Sequence, residues 1–186
     1  MPEEYAGVRF KAMFEGVDFN CAKERKALVD QLSWMNKAKL LHGIPGNVSV
    51  RAAEGLVITP TGKNLAKVTE ADMVLVRGVN EENKIVQVAG RLLPSSEAMM
   101  HWLIYENFPS ANAIVHFHDD NLLKSHARFT ETDEEHPYGT PELAHAALKA
   151  LRKSKFIILA GHGGMAIGKD FSACNALIGK ALKSIK

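Results

Sequence analysis

Three histidines in this sequence have the surroundings of metal ligands. His116 and His118 occupy alternate positions in "AIVHFHDD", directly after a short apolar run. In a strand, successive side chains point to opposite faces, so both imidazoles would lie on one face and Phe117 on the other. A second apolar run, "FIILAGHGG", leads to His162 between glycines, which allow a sharp turn toward other strand ends.

Together, His116, His118 and His162 would form a site with one position open for water or substrate. That pattern is typical of a catalytic zinc and not of a closed structural one. The His-x-His pair alone is a weak signal, because two histidines at a strand end are equally well explained by ordinary hydrogen bonds. The prediction of a metal site therefore depends on the third histidine.

Glu97 is the acidic residue that we expect beside them. It follows "LLPSS" at the predicted start of a helix, where the helix dipole favours a carboxylate, and His101 follows one turn later. A glutamate in this position also commonly stabilises only its own helix. The hydroxyls and free amides of this segment could bind a phosphate together with two further turns, "GIPGNVSV" and "TPTGK". Each segment alone is also explained as an ordinary turn.

The hydrophobic period switches between helical and strand spacing, which predicts an α/β fold with helices flanking a sheet. A first helix is predicted over residues 22–41, with Leu28, Leu32 and Met35 on one apolar stripe and Gly43 as the C-cap glycine. Strands are expected at residues 48–51, 56–59, 73–76, 85–88, 113–118 and 155–161. Further helices are expected from Ser95 or Ser96, from about 140 to 152, and from about 171.

The composition fits one globular domain over residues 1–186, because 46% hydrophobic content is enough for one substantial core. The 23 basic and 21 acidic residues are spread along the chain and give a net charge of +2, which argues against a nucleic-acid partner. Cys21 and Cys174 are too isolated for a disulfide framework, and we find no signal peptide. No apolar run reaches the roughly 20 residues that span a bilayer. We expect no membrane partner and a cytoplasmic location.

Six motifs resemble those of a known family and occur in the same order. They are "GNVSVR" (46–51), "LVITPTG" (56–62), "LPSSE" (93–97), "AIVHFH" (113–118), "YGTPELA" (138–144) and "ILAGHGG" (158–164). Over about residues 24–180 the chain resembles the class II aldolase/adducin family. The resemblance implies a three-layer α/β/α fold around a mostly antiparallel central sheet. It also implies a homotetramer with active sites between subunits.

The resemblance further implies roles for individual residues. The three histidines match the family's zinc ligands, with one Zn²⁺ per subunit, and Glu97 matches its general base. The family's phosphate-binding positions match four residues: Asn47, Gly62, Ser95 and Ser96. In such an aldolase, zinc holds dihydroxyacetone phosphate, Glu97 takes a C–H proton, and the resulting enediolate adds to a short aldehyde. The reverse reaction cleaves a sugar phosphate. Other divalent metals would also suit the site.

Several alternatives stay open. The family's metal site also serves sugar-phosphate epimerases, dehydratases and decarboxylases, and its fold also occurs as a non-catalytic interaction domain in adducin. The segment after the histidine strand is shorter than in the family and lacks its proton-donating tyrosine, so Tyr138, His126 and His136 are alternative donors. The segment "GVRFKAMFEGVDF" (7–19) is unlike the family's usual start and is predicted to be an added edge strand or a subunit contact.

Overall fold

Within residues 7–185, which the computed structural model describes, the chain forms nine strands and five α-helices. The strands are β1 (Lys11–Gly16), β2 (Asn47–Ala52), β3 (Gly55–Ile58), β4 (Val74–Asn80), β5 (Ile85–Ala89), β6 (Ala113–Phe117), β7 (Thr130–Glu131), β8 (Phe156–Leu159) and β9 (Gly163–Gly168). The helices are α1 (Ala22–Lys37), α2 (Ala98–Asn107), α3 (Asp120–Lys124), α4 (Pro141–Leu151) and α5 (Phe171–Ser184). None of these helices is long and apolar enough to cross a membrane.

The nine strands form one sheet in the order β1-β5-β4-β3-β2-β6-β9-β8-β7. Its interior pairings are antiparallel, whereas β1 runs parallel to β5 and β7 runs parallel to β8. The sheet is therefore mixed. The prediction of a mostly antiparallel sheet is wrong, because both edge strands pair in parallel with their neighbours. The β7 and β8 strands are parallel because α4 crosses between them. Hydrophobic spacing does not reveal the direction in which distant segments pair.

Helices cover both faces of the sheet. One buried cluster contains residues of α2 and α4, such as Ile104, and the other contains residues of α1 and α5, such as Leu28. The side chains of β6 alternate between these clusters, since Ile114 belongs to the first and Val115 to the second. The same alternation directs His116 to the side of α2 and α4.

Helix α1 ends earlier than the sequence predicts. Its last residue is Lys37, and Lys39 then takes a left-handed conformation with φ of 59°. The N–H groups of Leu40 and Lys39 donate to carbonyls five and three residues earlier, at 2.9 and 3.0 Å. These are the two bonds of a Schellman motif, which buried Leu40 completes. The prediction that Gly43 caps this helix is therefore wrong, because a lysine occupies the left-handed position.

The other predicted helices and strands are present, with shifted boundaries. Helix α2 begins at Ala98 and not at Ser95 or Ser96. The strands β7 and β9 and the helix α3 were not predicted. Strand β9 has the sequence "GGMAIG", and its glycines hid it from prediction because glycine is depleted in strands.

The N-terminal segment adds an edge strand, which confirms one of its two predicted alternatives. Strand β1 pairs with β5 along its length. Immediately before β1, Phe10 is buried in the cluster under α2 and α4. The Arg9 guanidinium carbon lies 5.4 Å from the centroid of the Tyr138 ring. This segment therefore connects the sheet edge with the region of Tyr138.

Candidate functional site

The two strand histidines project to one side at the end of β6. His116 lies within β6, and His118 follows Phe117, the last residue of the strand. The Phe117 side chain belongs to the cluster on the opposite face of the sheet. The Nε2 atoms of His116 and His118 lie 3.1 Å apart. The alternation that the sequence predicted is therefore present.

A tight turn after β8 brings His162 to the same place. Gly161 has a φ of 67°, and the His162 N–H donates to the carbonyl of Leu159 at 2.9 Å. The His162 ring is nearly parallel to that of His116, with centroids 4.9 Å apart, and its centroid is 4.6 Å from that of His118. One ring nitrogen of each histidine lies within 4.8 Å of the other two. We call these three residues the histidine cluster.

The protonation of His116 suits a metal ligand. Its Nδ1 lies 3.0 Å from the carbonyl oxygen of Gly164, which only accepts, so Nδ1 carries the proton and Nε2 presents a lone pair. Burial lowers the pKa of His116 to about 4, which keeps the ring neutral at pH 7. Three converging imidazoles, one of them oriented by a carbonyl, form a donor set that fits a divalent ion such as zinc.

Glu97 reaches the histidine cluster from the start of α2. It occupies the N-cap position of that helix, yet its side chain makes no capping hydrogen bond. Its Oε2 accepts a hydrogen bond from Asn47 Nδ2 at 2.6 Å and lies 3.5 Å from His116 Nε2. Its Oε1 lies 3.2 Å from His162 Nε2. This geometry favours a role in the site over the alternative that Glu97 stabilises only its own helix.

The surroundings of Glu97 favour its ionised form, although the residue is only 3% exposed. Burial by itself raises the pKa of the carboxyl group. At the low pH where Glu97 would take up a proton, His116 is itself protonated, and its positive charge together with the hydrogen bonds from His162 and Asn47 outweighs burial. The pKa of Glu97 therefore lies well below its usual range, and the carboxylate is ionised at pH 7 beside a neutral His116. A buried carboxylate beside converging ring nitrogens is a group that can accept a proton from a bound molecule.

The three turns predicted to bind phosphate lie next to one another. An antiparallel bridge between Pro60 and Pro94 joins "TPTGK" to "LPSSE". Two residues after "TPTGK", the Leu65 N–H donates to the Gly43 carbonyl at 2.9 Å and joins the chain next to this turn to "GIPGN". Gly62 is exposed in a left-handed conformation with φ of 70°. The other predicted phosphate-binding positions are buried: Asn47, Ser95 and Ser96.

A second polar group lies one helical turn beyond Glu97. The fully buried His101 has its Nδ1 2.7 Å from Ser49 Oγ, which in turn lies 3.0 Å from the Tyr105 hydroxyl. His101 Nε2 has no hydrogen-bond partner among the described residues. Burial lowers the pKa of His101 to about 4. Ser49 and Tyr105 were missed by sequence reasoning, and the only available signal was the helical spacing of Glu97 and His101.

The alternative proton donors differ in their placement. Tyr138 is buried, and its ring is inclined by 18° to that of His162, with centroids 6.3 Å apart. His126 is exposed, and its Nδ1 lies 2.6 Å from Glu131. The His136 Nε2 is 3.9 Å from a carboxylate of its own loop. The structure therefore brings Tyr138 to the histidine cluster, whereas His126 contacts Glu131 at the surface.

Known proteins resemble this chain in both sequence and fold. A family model described as Class II Aldolase and Adducin N-terminal domain matches residues 26–179. An L-fuculose phosphate aldolase of Haemophilus influenzae is 32% identical over 170 residues, covering 81% of this chain and 75% of the relative. A 5-methylthioribulose-1-phosphate/5-deoxyribulose-1-phosphate aldolase of Escherichia coli is 32% identical over 150 residues, covering 72% of this chain and 68% of the relative.

Solved structures show the same similarity. An L-fuculose 1-phosphate aldolase superposes with a TM-score of 0.75 at 26% identity, covering 89% of this chain and 84% of that one. A sugar-phosphate aldolase from Thermotoga maritima has a TM-score of 0.73 at 20% identity, covering 88% and 93%, and supports the fold alone. The six sequence motifs also predict a particular likeness to L-fuculose-1-phosphate aldolase within the family, and these matches confirm that likeness.

Proposed function

Because the chain belongs to the family described as Class II Aldolase and Adducin N-terminal domain, we propose that it is a zinc-dependent aldolase that cleaves or forms a small sugar phosphate. Its relatives are named aldolases, which confirms the prediction of an aldolase-type lyase. The observation that carries the proposal is the buried carboxylate of Glu97 against the histidine cluster.

The proposed metal ligands are His116, His118 and His162, with one ion per subunit. The converging nitrogens and the neutral, carbonyl-oriented ring of His116 support this assignment. When bound, a divalent ion supplies Lewis-acid chemistry, because it polarises the substrate carbonyl and makes the adjacent C–H more acidic. Zinc is the proposed metal by family resemblance.

Glu97 is the proposed general base. Its carboxylate takes the proton from the carbon next to the substrate carbonyl and returns it in the reverse direction. Asn47 Nδ2 holds Oε2 at 2.6 Å and so fixes the orientation of the carboxylate. Burial keeps bulk water from competing for the proton, since Glu97 and His116 are 3% and 0% exposed.

The joined turns are the proposed site for the substrate phosphate. Main-chain N–H groups near Gly62 and the hydroxyls of Ser95 and Ser96 are the donor types that bind phosphate without an arginine. The Nδ2 of Asn47 carries two hydrogens and donates one to Glu97, so the second can serve a phosphate oxygen. The proposed substrate class is therefore a small phosphorylated carbohydrate, in line with the names of the relatives.

The same proposed site also suits the alternative reactions of an epimerase, a dehydratase or a decarboxylase. The interaction-domain alternative does not explain an ionised carboxylate buried against three histidines, because burying charge without a function costs stability. A single domain over residues 1–186, a homotetramer and a cytoplasmic location stay predictions from composition and resemblance.

Deuterium exchange from heavy water into dihydroxyacetone phosphate tests the proposal, because it requires only proton removal and no aldehyde. We expect the metal-loaded protein to catalyse exchange and a chelated sample not to do so. Glu97→Gln should slow exchange by about 10²- to 10⁴-fold. Glu106→Gln is the matched control, since Glu106 is an exposed glutamate on the same helix. Absence of exchange from metal-loaded protein would contradict the aldolase proposal.

A further inference from the structure

A continuous set of polar contacts joins one face of β2 to one side of α2. Asn47 Nδ2 donates to Glu97 Oε2 at 2.6 Å. Two residues along the strand, Ser49 Oγ lies 2.7 Å from His101 Nδ1 and 3.0 Å from the Tyr105 hydroxyl. We call the five residues of these contacts the polar ladder: Asn47, Ser49, Glu97, His101 and Tyr105. The two strand residues alternate along β2, and the three helix residues follow one another at one-turn intervals, so each strand position meets α2 at a defined helical turn.

Arg51 extends the same alternation beyond the polar ladder. Its Nη2 donates to the carbonyl of Tyr105 at 2.8 Å, and its Nε donates to the carbonyl of Ala111 at 3.0 Å. The guanidinium therefore holds the end of α2 while Asn47 holds its beginning. Helix α2 is fixed to β2 at both ends and at one position between them.

Burial makes this arrangement specific. Ser49 and His101 are 0% exposed, and Asn47, Glu97 and Tyr105 are at most 4% exposed. A buried polar group that loses its partner is destabilising because water cannot replace the lost hydrogen bond, so a slip or rotation of α2 would leave several such groups unpaired at once. The polar ladder thus fixes both the position of α2 along its axis and its rotation about that axis, relative to the sheet.

The placement of α2 decides where the carboxylate of Glu97 lies. Glu97 is the N-cap residue of α2 and gains no side-chain hydrogen bond from that helix. Within the sheet, β2 pairs with β6 in a register that sets Asn47 opposite His116. The same strand therefore aligns the proposed base and one proposed metal ligand. A displacement of about 1 Å between reacting groups can cost about 10²-fold in rate.

We propose that Ser49 and His101 are positioning residues that hold Glu97 in its reactive place through the polar ladder. This inference rests on the proposed function, in which Glu97 removes the substrate proton. Neither residue is proposed to contact the substrate. Their effect passes through α2 and Asn47 to the Glu97 carboxylate.

The test compares Ser49→Ala with a control that removes a similar contact elsewhere. Gln31 is 3% exposed and exchanges two hydrogen bonds with Asn175 between α1 and α5, on the other side of the sheet. Gln31→Ala should therefore lower stability without moving Glu97. We expect Ser49→Ala to lower the rate constant of deuterium exchange about 10- to 100-fold with KM and metal affinity nearly unchanged. Gln31→Ala should leave the rate constant within twofold.

A crystal structure of Ser49→Ala provides a readout that does not require activity. We expect the Asn47 Nδ2 to Glu97 Oε2 distance to exceed hydrogen-bond length, against 2.6 Å in the unmodified chain. An unchanged distance together with an unchanged rate constant would overturn the inference. Absence of exchange from the unmodified protein would instead contradict the proposed function, and the crystal structure would still decide the positioning role.

If Ser49→Ala does not fold, Tyr105→Phe replaces it, because this variant removes only a hydroxyl, which contacts Ser49 at 3.0 Å and more weakly the carbonyl of Asn112 at 3.5 Å. The expected decrease in the exchange rate constant is about 2- to 10-fold, smaller because the His101 contact remains. A folded Tyr105→Phe protein with an unchanged rate constant and an unchanged Glu97 position would also count against the polar ladder.

Discussion

Replacing Gly46 by alanine should damage the site much more than the same replacement at Gly43. Both glycines lie in the "GIPGN" turn with the same φ of 92°, so both variants introduce the same type of backbone strain. They differ in the space around the added Cβ. At Gly46 it would lie 2.8 Å from the carbonyl oxygen of His116 and 3.3 Å from the Phe117 Cα, whereas at Gly43 nothing lies within 4 Å.

The structure gives the size of the difference. The positive φ costs about 1–2 kcal/mol in either variant. Only Gly46→Ala adds overlap with the backbone of β6, which costs about 1–3 kcal/mol because two paired strands must separate. We therefore expect Gly43→Ala to lower the free energy of unfolding by about 1–2 kcal/mol and Gly46→Ala by about 2–5 kcal/mol.

The overlap should also reach the proposed metal site. Gly46 meets β6 at His116, so relieving the contact moves the backbone that carries this proposed ligand. We expect metal affinity to fall about 10- to 100-fold in Gly46→Ala and to stay unchanged in Gly43→Ala.

Urea unfolding of metal-free protein measures the stability difference without contribution from metal binding. Competition with a chromophoric chelator then measures metal affinity in the two folded variants. Equal losses of stability and equal metal affinities would refute the reasoning, because only the contact with His116 distinguishes the two positions.

Three further changes have defined outcomes. Tyr138→Phe should leave deuterium exchange intact and lower aldol turnover, because the ring beside His162 remains while the hydroxyl is lost, and equal turnover would exclude it as the proton donor. Arg51→Lys should lower the free energy of unfolding by about 1–3 kcal/mol, since a single ammonium group cannot donate to all three carbonyls that the guanidinium contacts. An unchanged urea midpoint would contradict this. Cys174 should resist iodoacetamide at pH 8 until the protein unfolds, because burial raises its pKa to about 12, while the more accessible Cys21 reacts first. Peptide mass mapping measures the order of labelling, and labelling of Cys174 before Cys21 in the folded protein would contradict this prediction.

The proposed metal ligands could be predicted because each carries a local signal. His116 and His118 share a strand face through the two-residue period, and His162 follows a strand in a glycine turn. The role of Glu97 was ambiguous, because the same position suits an N-cap. Only its contacts with Asn47 and His116, which are distant in sequence, decide between the alternatives.

The predicted phosphate turns show a second limit of local reasoning. Each turn is ordinary by itself, and nothing in "TPTGK" indicates that it meets "LPSSE" or "GIPGN". The bridge between Pro60 and Pro94 and the bond from Leu65 to Gly43 join residues that are between 22 and 34 positions apart. Such pairings depend on the sheet order, which hydrophobic spacing does not encode. The sequence therefore predicts the components of this site better than their assembly.

Strand β9 was missed for a reason that also explains the histidine cluster. A Cβ at Gly163 would lie 2.4 Å from the carbonyl oxygen of Phe117 and 3.1 Å from the His116 ring. The glycines therefore allow β9 to approach β6 more closely than residues with side chains would. That approach brings the Gly164 carbonyl to His116 Nδ1 and fixes the ring in the state that presents Nε2. The residues that weaken the strand signal in the sequence are thus those that the geometry of the proposed metal site requires.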